Sequence, residues 1–247
     1  MVYVLWGLII IMAMTTLAMV TGVLPALLLR LVGLKKAADR LIFWHTSLIA
    51  NTGLWIAGIR VHMSGDIDSI RERVNRGEGF GFVANHTSML DIVLMLARLK
   101  CRTGFVAKRE LLFVPLINVM IAMTHSVFIN RRNLKKSVES IRKAGRKIRE
   151  GHSVVIFPEG TRSKTGQIGT FKHGAFRMAT ESGAFIVPVT IKGIRDSFED
   201  RKHVFQRRDC YLCIGEPVKA PSSSDREAVA KVVSDIEQSI KKTYEEL

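Results

Sequence analysis

The run Asn85-His86-Thr-Ser-Met-Leu-Asp91 places a carboxylate five residues after an imidazole. Within a regular α-helix that offset leaves the two side chains roughly 140° apart, so they do not meet there. They meet if His86 precedes a helix and Asp91 reaches back from its first turns. An imidazole held by a carboxylate has one nitrogen fixed as donor and the other available as a base. For these residues taken alone, a buried histidine beside a solvated aspartate is the competing reading.

Three polar clusters follow strand-like apolar runs: His86 with Asp91, Lys108 with Arg131, and Glu159 with Arg162. In α/β sheets ligands collect at the carboxyl ends of strands, so the clusters converge if those strands are neighbours. Several cations at one place suit a phosphate monoester, which accepts charge-assisted hydrogen bonds. A His–Asp base would take the proton of a hydroxyl, typically contributing about 10²–10⁴-fold to the rate. No nucleophile signature accompanies it: Gly-x-Ser-x-Gly does not occur, and Ser88 and Cys101 stand without supporting residues. His45, His62, His125, His152, His173 and His203 are scattered without ligand spacing, so no metal is expected. Asp66 and Asp68 belong to a turn, and Gly77-Glu-Gly-Phe-Gly81 lacks the spacing and context of a dinucleotide fingerprint. What remains is transfer of an activated group onto an alcohol. A thioester donor fits, because a thiolate with a conjugate-acid pKa near ~8.5 leaves without metal help. The residues alone do not choose acyl over phosphoryl transfer.

The elements that must position these groups are mostly visible. Strands are predicted near Gly79–Ala84, Thr103–Ala107, Ser126–Asn130, Val154–Phe157, Phe185–Ile191 and Cys210–Ile214, with Pro188 implying an edge position or strand end. Leu111–Met123 reads as a helix. Leu134, Val138, Ile141, Gly145 and Ile148 recur at helical spacing and predict an amphipathic helix over Leu134–Arg149. Ser224-Asp-Arg-Glu227 is a capping box opening a final helix that packs Val229, Val232, Val233, Ile236 and Ile240 on one face. Cys210 and Cys213 match C-x-x-C, but odd spacing on a strand sends them to opposite faces, so they are structural. Three cysteines make no disulfide framework.

A chain of 247 residues holds one α/β catalytic domain plus an appendage. A net charge of +15 beside 47% apolar residues excludes a disordered tail and implies an anionic partner. Met1–Leu29 carries no charged residue and exceeds the ~20 residues that span a bilayer core. The cluster Arg30, Lys35, Lys36 and Arg40 that follows belongs on the cytoplasmic side. Leu41–Ile59 is a weaker apolar segment that could lie in the interface. The expected organisation is an N-terminal pair of membrane-anchoring helices over residues 1–60, then an α/β domain over 61–247 facing the cytoplasm. Arg131–Arg149 holds nine basic residues and one acidic. That span fits anionic lipid, at about 1 kcal/mol per cation, or an acidic acyl carrier. It has no aromatic residue on which bases could stack, which disfavours nucleic acid.

Asn85-His86-x4-Asp91, followed in order by Phe157-Pro-Glu-Gly-Thr-Arg-Ser163 and Val187-Pro188-Val189, resembles the glycerolipid acyltransferase family. The resemblance covers roughly Gly79 to Pro188 and extends to Lys108-x2-Leu111, Pro115, Phe128-Ile129-x-Arg131 and Phe171-Lys172-x-Gly174-Ala175-Phe176. It implies a mixed central sheet flanked by helices. It also implies acylation of lysophosphatidic acid at its free hydroxyl by acyl-CoA or acyl carrier protein, without a cofactor and without a covalent intermediate. By this resemblance His86 is the base and Asp91 its orienting partner. Lys108, Arg131 and Arg162 lie near the phosphate, Glu159, Gly160 and Thr161 shape the acceptor site, and Lys172 is a further contact. Asn118 and His125 stand where the family commonly has glycine, a departure that bears on the placement of Arg131. Another acceptor, such as glycerol-3-phosphate or a lyso-aminolipid, and a non-catalytic basic membrane module are the competing readings.

Overall fold

The computed structural model describes residues 16–113, 117–197 and 208–247. The first half of the predicted spanning segment, residues 1–15, and Pro115 of the middle block lie outside them. Among the described residues the first elements are a π-helical turn, Met19–Val23, α1 (Leu24–Leu31), α2 (Lys35–Ile56) and β1 (Ile59–Ser64). Then follow α3 (Ile67–Asn75), β2 (Phe80–Ala84), α4 (Leu90–Leu99), β3 (Thr103–Lys108), a 3₁₀ turn at Arg109–Phe113, α5 (Ile117–Met123) and β4 (Val127–Ile129). The remainder is α6 (Leu134–Arg149), β5 (Ser153–Ile156), α7 (His173–Thr180), β6 (Phe185–Lys192), β7 (Arg208–Ile214), β8 (Val218–Lys219) and α8 (Arg226–Glu246).

The strands form one sheet in the order β1-β7-β6-β2-β5-β3-β4, with β8 also on β6. β2 lies at the centre between two parallel partners, β5 and β6, and β5-β3-β4 continue parallel. The carboxyl ends of β2, β5, β3 and β4 therefore share one edge, and each ends in or is followed by a predicted site residue. β7 runs antiparallel to β6 and makes the sheet mixed. Every residue of β2 and β5 is buried, as expected for parallel strands covered on both faces. One core, with Phe80, Phe82 and Leu94, lies under α2 and α4. The other, with Ile141, Phe176, Met178 and Ile236, lies under α6, α7 and α8.

Pro188 is not at an edge, because β6 has neighbours on both sides. Its pairing with β8 ends at Ile186 and its pairing with β7 begins at Val189. The proline stands where the strand changes partner, so its missing N–H costs no ladder bond, and its carbonyl accepts from the Gly215 amide at 2.8 Å. Leu111–Met123 is not one helix. The 3₁₀ turn and α5 are separate, and Asn118 ties them by donating from Nδ2 to the Leu112 carbonyl at 3.0 Å. The last helix caps one residue later than predicted: Asp225, not Ser224, accepts the Ala228 amide at 3.0 Å. On α6 the buried face is Ser140, Ile141, Ala144, Gly145 and Ile148, and Leu134 in the first turn is 82% exposed. Asp66 caps α3 by accepting the Ser69 amide at 3.0 Å, so it is turn chemistry. Cys210 is buried and Cys213 half-buried, in step with the alternation of β7.

Among the described residues no helix is long and apolar enough to cross a membrane. α2 buries polar residues beside the apolar Ala38, Ile42, Phe43, Ala50 and Leu54. Its polar residues Asp39, His45, Thr46 and Ser47 face the protein, while Trp44, Leu48, Trp55 and Ile56 are exposed. The inward polar groups are satisfied: Ser47 Oγ and Asn51 Nδ2 both donate to the Ala97 carbonyl, at 3.1 and 2.9 Å, pinning α2 to α4.

Candidate active site

β2 ends at Ala84, and Asn85 finishes its pairing with a side chain instead of a backbone. Asn85 Oδ1 accepts the Ile191 amide and Nδ2 donates to the Ile191 carbonyl, both at 2.8 Å. Fully buried, this amide completes the β6 ladder and frees the main chain to turn away at His86. α4 starts at Leu90, and Ser88 Oγ accepts the Leu90 amide at 3.0 Å. Asp91 thus sits in the first turn and reaches back, as the spacing requires.

Asp91 is fully buried, and its Oδ2 collects three donors: the amides of Thr87 at 2.8 Å and Ser88 at 2.9 Å, and His86 Nδ1 at 2.7 Å. Burial pushes the Asp91 carboxyl up, and these three bonds oppose it. Three N–H groups on one oxygen favour the carboxylate, and the carboxylate in turn fixes the imidazole proton on Nδ1. Nε2 is left as the basic nitrogen. The ring lies against Phe157, with centroids 4.0 Å apart and planes within 18°, so both its rotation and one face are blocked.

The second motif grips the first through the main chain. Glu159 Oε1 accepts the His86 amide at 2.7 Å, and Oε2 accepts the Gly169 amide at 3.0 Å. Burial raises the Glu159 carboxyl while the two amides favour its anion. The Ser163 amide donates to the His86 carbonyl at 2.9 Å, so the Gly160-Thr161-Arg162 loop runs beside the imidazole. Gly160 has φ of +78°, a conformation that L side chains rarely adopt. A Cβ there would come within 2.7 Å of Lys172 Nζ, which places that ammonium next to the loop.

Arg131, after β4, donates from Nη1 to the Gly160 carbonyl. Partial burial weighs against its charge, and the Glu110 carboxylate beside it weighs in favour. Lys108 ends β3 and faces the same Glu110 at 3.6 Å. His86, Asp91, Glu159, Gly160, Lys172 and Arg131 are therefore in one neighbourhood, Lys108 joins through Glu110, and Thr161 and Arg162 lie exposed on the loop between them. Burial pushes the Cys101 thiol up to about 11 and Cys210 to about 12, so neither supplies a thiolate.

Two contributors carried no signal in the sequence. Arg195, after β6, donates to the carbonyls of Ser163 at 2.8 Å, Thr87 at 3.2 Å and Lys164 at 2.9 Å, joining both motif loops. Glu237 on α8 accepts the Phe171 amide at 2.8 Å and steadies the segment that brings Lys172 in. The histidines are also less scattered than their spacing implies. His125, His152 and Asp39 have ligand atoms within 4.8 Å of one another. The cation in that cluster is Arg30, whose Nη2 lies 2.7 Å from Asp39 Oδ1.

The fold matches that of the 1-acyl-sn-glycerophosphate acyltransferase PlsC from Thermotoga maritima, with a TM-score of 0.69 at 25% identity, over 86% of this chain and 82% of that one. The 1-acyl-sn-glycerol-3-phosphate acyltransferase of Borreliella burgdorferi is 31% identical over 159 residues, 64% of this chain and 62% of its own. The human enzyme of that name, form beta, is 35% identical over 124 residues, 50% of this chain and 45% of its own. The chain thus spans less than two thirds of the length of the Borreliella and human relatives. The family model for acyltransferases matches residues 67–192, about half of the chain, a segment that holds the His86–Asp91 pair, the Glu159 loop, Lys108, Arg131, Arg162 and Lys172. The chain belongs to the Acyltransferase family.

Proposed function

We propose that this protein moves a fatty acyl group from an acyl thioester, acyl-CoA or acyl carrier protein, to the sn-2 hydroxyl of 1-acyl-glycerol-3-phosphate, giving phosphatidic acid and a free thiol. The observation that carries the reading is the 2.7 Å bond from His86 Nδ1 to a buried carboxylate, which leaves Nε2 basic beside a loop rich in cations. The names of the relatives favour this acceptor.

In the mechanism, His86 Nε2 takes the hydroxyl proton as the acceptor oxygen attacks the thioester carbonyl carbon. The tetrahedral species collapses with rupture of the C–S bond, and the imidazolium returns its proton to the departing thiolate. Asp91 holds the ring and stabilises its transient charge. Lys108, Arg131, Arg162 and Lys172 hold the acceptor phosphate, and Glu159, Gly160 and Thr161 shape the loop that presents them. No covalent acyl-enzyme is required, in keeping with the buried, protonated thiols of Cys101 and Cys210.

The outward Trp55 and Ile56 of α2, together with Leu24, Leu28 and Leu31 of α1, expose apolar surface, with Lys35 at the junction of the two helices. Such a surface suits burial in the headgroup layer of a membrane with the sheet on the cytoplasmic side. The cations of α6 suit an acidic carrier or anionic lipid.

The test is to incubate purified protein with lysophosphatidic acid and acyl-CoA or acyl carrier protein, and follow phosphatidic acid and free thiol together. His86→Ala should lower turnover by at least ~10²-fold with the fold intact. Arg162→Ala should raise KM for a phosphate acceptor and hardly change it for an uncharged one. Near-normal turnover by the histidine variant defeats the mechanism.

A further inference from the structure

One cavity lies away from His86. It has a volume of about 800 Å³ and opens between α2 and the amino-terminal edge of the sheet. Its walls include Asn75–Gly77 before β2, Lys100–Arg102 before β3 and Glu150 before β5, while His86 follows the carboxyl end of β2. Five residues of β2 separate the two ends, a distance of roughly 16 Å at strand rise. The cavity is thus a place distinct from the acyl-transfer site.

Its chemistry is two-sided. Lys36, Arg40, Arg76, Lys100 and Arg102 line it, against a single carboxylate, Glu150. That carboxylate is already engaged by Lys147 at 2.7 Å. No described acid pairs with Lys36, Arg40 or Lys100. Arg102 is held in place by its bond to the Val74 carbonyl at 2.9 Å, and Lys100 caps α4 in the left-handed region at φ +49°. The wall provided by α2 is apolar, with Phe43 buried and Trp44 and Leu48 at 61% and 48% exposure. Cations collected around a concave space with little counter-charge favour an anion. A wall of tryptophan, phenylalanine and leucine beside them favours an apolar chain attached to it.

We propose that this cavity binds a phosphate ester bearing an apolar chain, with the phosphate among Lys36, Arg40, Lys100 and Arg102 and the chain against Trp44 and Leu48. The site is independent of turnover at His86. It makes the rear edge of the sheet a second point of contact with anionic lipid.

The experiment uses the full chain and reads Trp44 emission as the difference between wild type and Trp44→Phe. Three probes are titrated: n-hexyl phosphate, inorganic phosphate and 1-hexanol. n-Hexyl phosphate should saturate the signal at least ~10-fold more tightly than either other probe. A Lys36→Gln/Lys100→Asn double variant should weaken it ~10-fold or more, asparagine being chosen because it tolerates the left-handed backbone. Acyl transfer by that variant should stay at the wild-type rate, which separates this site from the catalytic one. Equal binding of inorganic phosphate would reduce the cavity to a bare cluster of cations. Equal binding of hexanol would make it merely an apolar surface. An unchanged affinity in the double variant would also overturn the proposal.

Discussion

Glu159 Oε1 lies 2.7 Å from the backbone nitrogen of His86, so the second motif positions the first through its main chain and not through the imidazole. The same carboxylate holds Gly169, and each oxygen is therefore committed to an amide. Glu159→Gln replaces one acceptor with a donor that faces an N–H. A buried bond to a charged group is worth about 1.5–3 kcal/mol, so stability should fall by about 1–3 kcal/mol and kcat by roughly tenfold or more. Chemical denaturation and steady-state kinetics measure both. A variant with wild-type kcat would show that the carboxylate is not part of the positioning.

Asp91 differs because its donors include the imidazole itself. Asp91→Asn keeps an oxygen for the backbone amides but removes the charge that holds the proton on His86 Nδ1. We expect kcat to fall by ~10²-fold or more with KM for the acceptor nearly unchanged. Groups that act as a unit lose activity non-additively, so His86→Ala/Asp91→Asn should be scarcely slower than His86→Ala. Multiplying losses in that cycle would mean that the two residues act separately.

The His–Asp pairing was legible because an offset of five forces a break in the helix between its members, and a break between strand and helix is where the sheet exposes its carboxyl edge. The buried strands were legible as apolar runs. β1 was not: its residues alternate poorly and only Ile59 is buried, since it lies at the edge of the sheet. Asp39, His45, Thr46 and Ser47 of α2 looked like interruptions of an apolar segment, whereas they share its inward face with Ile42, Phe43, Ala50 and Leu54. Arg195 and Glu237 were invisible for a different reason. Each works by donating to or accepting from backbone more than 30 residues away, and no local pattern announces such a contact. Strand order decides which lone arginine reaches a motif.

The cluster of Asp39, His125 and His152 predicts an acid response in two windows. His125 and His152 stack at 3.8 Å. Burial first, and the charge of His125 second, lower His152 from 6.5 to about 4. Between those values the unfolded chain binds a proton that the folded chain refuses, so stability present above pH 6.5 is lost as pH falls toward 4, by roughly 3 kcal/mol at most. Asp39 follows lower down. Burial raises its carboxyl, but the bonds from His125 and Arg30 outweigh burial and hold it at about 2. Its contribution survives to pH 3.8 and fades between there and 2. His152→Phe keeps the stacking and should flatten the slope from pH 6.5 to 4, measured as denaturation midpoint against pH. An undiminished slope would assign the loss to another group.

Arg195 tests whether the two motif loops must be held together to work. Its guanidinium reaches three carbonyls in a fork, two from the Ser163-Lys164 segment and one from Thr87. A lysine at this position carries the same charge but only a single ammonium, which cannot span that set. Arg195→Lys should therefore lower kcat by ~5–20-fold while leaving the net charge and any general attraction for anionic substrates in place. If the arginine served only as a local positive charge, the lysine variant would keep wild-type kcat, and raised salt would depress both proteins alike. The tie between Thr87 and Ser163 predicts the opposite result, a deficit in kcat that salt does not alter, because what is lost is the spacing between the imidazole loop and the cationic loop.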